Sequence, residues 1–191
     1  MRLVLATRNP HKVREFGPLL RPHEVLPLPG GVALPPETGQ TFAENALEKA
    51  RTAARATGSP AVADDSGIEA AALGGAPGVR SARFAGEDAS DEENLAKLLR
   101  EVPADADRRV AYVCALAYVT PGGEEKLFEG RCEGMLALEP RGSGGFGYDP
   151  AFIPDDLDGG RTMAELSQEE KDAISHRGRA VRELLAWLQS R

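Results

Sequence analysis

Leu3-Val4-Leu5-Ala6-Thr7-Arg8-Asn9-Pro10-His11-Lys12 reads as a strand running straight into a helix, and this junction decides the fold class. Leu3 to Ala6 is a short apolar run suited to a buried strand. Asn9 followed by Pro10 gives an N-cap with proline at the first helical position. Val13, Phe16 and Leu20 continue as a helical stripe, and Pro18 inside it is expected to kink or shorten the helix. The same alternation repeats outward along the chain. A short strand is expected around Glu24 to Leu28, and Thr41 with Glu44 forms a capping box for a helix ending near Gly58. Ala61 to Ala63 is read as another short buried strand, delivering Asp64-Asp65-Ser66-Gly67 at its C-terminal end. Ser90 and Glu93 cap a helix carrying Leu95, Leu98 and Leu99. Val110 to Val119 is apolar on both alternations, as a central strand covered on both faces would be. Pro121-Gly122-Gly123 turns it back into a partner strand from Glu124 towards Leu138. After the short run Ala151-Phe152-Ile153, the last thirty residues are expected to be helical, with Val181, Leu184, Leu185 and Leu188 buried. The class is α/β. No internal repeat and no long linker divides residues 1–191, so a single domain is expected.

The 191 residues carry 23 Lys+Arg against 30 Asp+Glu, a formal net charge of −7, with 41% hydrophobic and 28% charged residues. That is an ordinary globular composition, far from disorder. The acidic balance argues against a nucleic-acid binder, though a local cluster can still oppose the global sign for a small anion. No apolar stretch approaches the ~20 residues of a membrane helix. Met1 runs directly into a charged, strand-like segment, so no signal peptide is expected. Cys114 and Cys132 make neither a disulfide framework nor a zinc site, and a reduced cytoplasmic protein follows.

Four constellations can carry chemistry. Thr7 to Lys12 places helix N–H groups, side-chain donors and one cation where an anion can dock, or else is simply a capped helix. Asp64-Asp65-Ser66-Gly67 offers adjacent carboxylates for a hard divalent cation such as Mg²⁺, with Glu37 and Glu44 upstream as further oxygen ligands. A regular strand would aim only one of the two Asp residues at the metal, whereas a turn beginning at Asp64 would bring both in. One catalytic and one partly structural carboxylate is the favoured division. Gly142-Ser143-Gly144-Gly145-Phe146-Gly147-Tyr148-Asp149-Pro150 matches a dinucleotide fingerprint by letter, but no βαβ unit opens there. It reads either as a loop bringing Phe146 to stack and Asp149 to hydrogen-bond, or as a plain turn. Lys171 to Arg177 gathers cationic groups around a helix start at Ser175, where His176 and Arg177 can donate to a carbonyl or phosphate. Together these groups describe a nucleoside triphosphate site.

The sequence closely resembles the inosine/xanthosine triphosphate pyrophosphatase family. The match is carried by Ala6-Thr7-x-Asn9-x-x-Lys12, Ala63-Asp64-Asp65-Ser66-Gly67, Leu73-Gly74-Gly75-Ala76-Pro77-Gly78-Val79-x-Ser81-Ala82-Arg83, Gly144 to Pro150, and Ala173-Ile174-Ser175-His176-Arg177-Gly178. The resemblance implies hydrolysis between the α- and β-phosphates of ITP, dITP and XTP. It implies an elongated two-lobed α/β unit with a mixed sheet flanked by helices, a substrate groove between lobes, and a homodimer. By residue, it implies Asp65 as general base and Glu37, Asp64 and Asp65 as Mg²⁺ positions. Thr7, Arg8, Asn9, Pro10, His11, Lys12, Lys49 and Ser66 would bind substrate, mainly phosphate. Phe146, Gly147, Tyr148, Asp149, Lys171, His176 and Arg177 would hold base and sugar, the last three donating to a 6-keto oxygen. Arg8 stands where many members carry Gly, which adds a phosphate contact or points to solvent. The alternatives are a related dTTP/UTP pyrophosphatase and a non-catalytic nucleotide sensor.

Overall fold

Leu3, Val4 and Leu5 are fully buried, and they make β1 (Arg2–Leu5) in the computed structural model, which describes residues 1–191. At the next junction Asn9 caps α1 (Pro10–Leu19): its Oδ1 accepts from the backbone N–H of His11 at 2.8 Å and of Lys12 at 3.4 Å. Pro18 falls in the last turn, and the helix closes one residue later. Phe16 and Leu20 are buried as the stripe predicts, but Val13 is 44% exposed and the inward position goes to Glu15. β2 (Glu24–Pro27) follows and pairs parallel with β1.

Thr41 and Glu44 close a reciprocal capping box on α2 (Phe42–Thr57), which ends on left-handed Gly58 at φ 63°. β3 (Ala61–Ala70) then departs from expectation, running on through Asp64-Asp65-Ser66-Gly67 to Ala70 instead of ending at Ala63. Ser90 and Glu93 box the start of α3 (Asp91–Glu101). β4 (Arg109–Val119) is buried from Val110 onward, and β5 (Glu125–Leu136) alternates buried and exposed over its second half. β6 (Phe152–Pro154) pairs antiparallel with β5. The C-terminal stretch opens on a single 3-10 turn (Met163–Glu165) and is α-helical only from α4 (Gln168–Ile174); Ser175 separates this from α5 (His176–Gln189), on which Val181 and Leu184 are buried. The sheet order is β2-β1-β3-β4-β5-β6, with β1 parallel to both β2 and β3, so the α/β class holds with a mixed six-stranded sheet.

Packing resolves into two units. The first comprises Met1–Asp65, Cys114–Gly130 and Arg177–Arg191, and its core gathers Leu3, Phe16, Val62, Leu116, Tyr118 and Leu184. The second comprises Ser66–Val113 and Arg131–His176, with Ile68, Leu98, Val110, Phe152 and Met163 at its centre. The chain therefore passes from one unit to the other inside β3, β4 and β5 and between His176 and Arg177. Neither Cys114 nor Cys132 is in a disulfide, and both are buried.

Candidate active site

In a strand, neighbouring side chains leave on opposite faces, and β3 applies that rule to its two carboxylates. Asp64 is 1% exposed and meets Lys12 Nζ at 3.0 Å and Arg177 Nε at 3.5 Å. Burial works to raise its pKa, but the Lys12, Arg177 and Lys49 cations outweigh it and hold the carboxyl well below the usual range. Arg177 is itself shared, donating to Glu15 Oε2 at 2.9 Å from α5 to α1. Asp65 turns the other way. Its Oδ2 accepts from Asn45 Nδ2 at 2.8 Å and its Oδ1 lies 3.9 Å from Lys49 Nζ. Here burial prevails: it raises Asp65, and Glu37 adds to the rise against the opposing charge of Lys49. Lys49 is the hinge of the group, bonding Glu37 Oε1 and donating to the Asp64 carbonyl at 2.7 Å. Burial pulls the Lys49 pKa down, yet the charges of Asp64, Asp65 and Glu37 win and raise it. The surroundings thus push two consecutive carboxylates in opposite directions, Asp64 down and Asp65 up.

The Thr7–Lys12 segment divides in the same way. Lys12 reaches Asp64, but Thr7 Oγ1 accepts from Asn9 N at 3.1 Å, and the Asn9 side chain is taken up by its cap. Pro10 is exposed at the helix start, and His11 Nδ1 lies 2.7 Å from Arg14. Arg8 is exposed at the strand–helix junction, and its guanidinium folds back onto the backbone. Its guanidinium donates to the carbonyls of Leu28, Pro29 and Val32 at 2.8, 2.6 and 2.8 Å, tying down the loop after β2. Ser66 is half-buried within β3. Asn45 and Glu15 escaped the sequence reading. Asn45 precedes Lys49 by four residues on one helical face, and Glu15 follows Lys12 by three, spacings that could have flagged both.

The second unit carries its own polar group around Asp149, which is 2% exposed. Asp149 Oδ2 accepts from Lys171 Nζ at 2.7 Å and from Phe146 N at 2.8 Å, while Oδ1 accepts from the Tyr112 hydroxyl at 3.1 Å. Lys171 Nζ lies 5.3 Å from the Phe146 ring centre. Gly145 adopts φ 69°, and a Cβ there would fall on the Asp149 carboxylate, so this loop position requires glycine twice over. His176 stacks on Tyr112 at 4.7 Å between ring centres, and Tyr112 stacks on Phe152 at 4.4 Å. Gly147 N donates to Asp91 at 2.8 Å, and the buried Tyr148 hydroxyl donates to the Ser81 carbonyl at 2.7 Å, which makes Tyr148 a loop anchor. Lys171, Phe146, Asp149 and His176 therefore belong together, as expected. Arg177, the next residue, belongs to the first unit, where its guanidinium meets Glu15 and Asp64.

No three His, Cys, Asp or Glu side chains form a ready-made metal cage. What exists is a pair of hard oxygen donors, Glu37 and Asp65, converging on one cationic position held by Lys49. That set fits Mg²⁺, which commonly takes one or two carboxylates and completes its shell with substrate phosphate and water. Asp64, the third expected position, presents its Oδ2 to Lys12 and Arg177.

Against known proteins, the model of the Ham1 family matches residues 3–187. The dITP/XTP pyrophosphatase of Symbiobacterium thermophilum is 53% identical over 191 residues, spanning 98% of this chain and 94% of that relative. That of Bacillus licheniformis is 49% identical over 97% of both. Among solved structures, a HAM1 protein from Coxiella burnetii superposes with a TM-score of 0.90 at 43% identity over the whole of both chains. The Staphylococcus aureus Ham1 protein gives 0.88 at 41% identity, covering 100% of this chain and 99% of its own.

Proposed function

We infer the function from one premise: this chain belongs to the Ham1 family. It is a nucleoside triphosphate pyrophosphatase that hydrolyses the non-standard purine nucleotides dITP, ITP and XTP to the monophosphate and pyrophosphate. The observation that carries the assignment of residues is the different setting of the two carboxylates, Asp64 between the Lys12 and Arg177 cations and Asp65 against Asn45 and Lys49, which suits one to fixed charge and the other to proton transfer. Asp65 accepts the proton of the attacking water. Asp64 stays an anion and holds Lys12 beside the reacting phosphates, where Lys12 and Lys49 stabilise charge developing on the pyrophosphate leaving group. Thr7 to Lys12 and Ser66 contact the phosphates through what their caps leave available. When bound by Glu37 and Asp65, Mg²⁺ supplies a Lewis-acid charge to the polyphosphate. Lys171 and His176 donate to the 6-keto oxygen of the base and Phe146 stacks on it; a 6-amino purine leaves those donors unpaired, a penalty of roughly 1–3 kcal/mol each. Arg177, which pairs with Glu15 and Asp64, joins Lys171 and His176 as a donor to the base.

The same reading places the enzyme in the cytoplasm as a homodimer acting on free nucleotides. The −7 charge disfavours nucleic acid, and no helix is long and apolar enough to cross a membrane. Pyrophosphate release from dITP, ITP, XTP, dATP and dTTP tests it. The 6-keto purines should lead. EDTA should abolish turnover and added Mg²⁺ restore it, and Asp65→Asn should lower kcat by about 10²- to 10⁴-fold. Faster turnover of dTTP than of dITP would overturn the substrate assignment. A solution mass near 20 kDa would remove the dimer.

A further inference from the structure

Asn45 is a buried polar side chain to which none of these steps gives a part. It is 4% exposed, sits in the first turns of α2, and shares the Lys49 face of that helix. Both ends of its amide are used: Nδ2 donates to Asp65 Oδ2 at 2.8 Å, and Oδ1 accepts from Gly39 N at 2.8 Å. Chemistry fixes the orientation, because a carboxylate can only accept and a backbone N–H can only donate. Gly39 lies two residues beyond Glu37, and the same loop is pinned by Glu44 Oε2, which accepts from Gln40 N at 2.6 Å. The space is full. A Cβ on Gly39 would stand 2.7 Å from Asn45 Oδ1 and 2.8 Å from Glu44 Cβ.

We propose that Asn45 is a positioning residue for the hydrolysis, acting through Asp65. Its amide fixes Oδ2, which leaves Oδ1 as the oxygen presented towards Lys49 and the water, and it ties that carboxylate to the loop carrying Glu37. An aspartate at 45 would set two carboxylates against each other, and an alanine would let Asp65 turn about its own side-chain bonds. The inference rests on Asp65 being the general base.

Steady-state pyrophosphate release from dITP with Mg²⁺, measured for wild type, Asn45→Ala, Gly39→Ala, Asp65→Asn and the Asn45→Ala/Asp65→Asn double variant, tests both layers. A misplaced base costs roughly 10²-fold, so Asn45→Ala should lose about that much in kcat with KM little changed. Gly39→Ala, which crowds the amide from the far end, should show the same split and serves if Asn45→Ala does not fold. The double variant should be no slower than Asp65→Asn alone, since the brace has nothing left to hold. Thermal melts in EDTA separate lost turnover from lost fold. Losses that multiply in the double variant, or a raised KM with unchanged kcat, would overturn the brace while leaving Asp65 as base. Full activity in Asp65→Asn would overturn both.

Discussion

Asp64 and Asp65 differ by one position and by the sign of their effect on stability. Asp64 has a folded pKa below its unfolded value of about 3.9, so it stabilises the fold at all pH values above that and loses the contribution as pH falls through the folded pKa. Asp65 is the reverse. Its folded pKa lies above the unfolded value, so stability is lost as pH rises between the two, and at neutral pH its charge is a burden on the fold. The two amide substitutions should therefore move the melting temperature apart at pH 7. Asp64→Asn leaves Lys12 and Arg177 facing a neutral group in the interior, a loss of about 3–5 kcal/mol, and should also flatten the acid limb below about pH 4. Asp65→Asn should raise the melting temperature while removing turnover, each kcal/mol relieved being worth about 2–4 °C in a chain of this size. Calorimetry from pH 3 to 8 reads both. A fall on Asp65→Asn at pH 7 would show that Asp65 carries no strain and is merely a structural ligand of Asn45.

Among the elements, β3 shows what a sequence can and cannot announce. Capping boxes at Thr41/Glu44 and Ser90/Glu93 and the Asn9 cap depend on residues within four positions of one another, and the apolar run of β4 on one continuous stretch, so each is legible. Asp64-Asp65-Ser66-Gly67 is built of poor strand formers that favour turns, so local sequence points to a strand ending at Ala63. It continues because distant partners satisfy those residues: Lys12 and Arg177 for the Asp64 carboxylate, Lys49 for the Asp64 carbonyl, Asn45 for the Asp65 carboxylate, and Ser81 for the backbone, its Oγ accepting from Ile68 N at 2.9 Å. The same distance explains the sites. The motif residues could be named, but Arg8 tying down a loop and Arg177 joining Glu15 to Asp64 depend on contacts twenty or more residues off. Gly67 is the element's most confined position. A Cβ there would lie 2.5 Å from the Gly78 carbonyl and closer still to Ser81 Oγ. Gly67→Ala should cost about 1–3 kcal/mol, seen as a lower urea midpoint with an unchanged slope. Ser81→Ala in the Gly67→Ala background should return part of it, and a simple sum of the two losses would contradict the contact.

On the scale of the whole molecule, the charge of −7 and the polyanionic substrate have the same sign, and the acting cations do not reverse it. Lys12, Lys49 and Arg177 stand among four carboxylates, Glu15, Glu37, Asp64 and Asp65, so the first unit's polar group is close to neutral rather than a positive basin. Affinity for a triphosphate must then come at short range, from cations exchanging a carboxylate for a phosphate oxygen and from the divalent ion arriving with the nucleotide. Short-range exchange and long-range steering respond differently to salt. Between about 0.01 and 0.1 M the Debye length shrinks from about 30 to 10 Å, which erases a field acting at a distance but leaves buried pairs nearly untouched. An attractive field would make kcat/KM fall steeply over that range. Here the field is repulsive, so kcat/KM for dITP should stay level or rise slightly as KCl is added at fixed free Mg²⁺. A severalfold fall would mean that a positive surface elsewhere on the molecule guides the nucleotide in, and that the near-neutral cluster is not what first meets it.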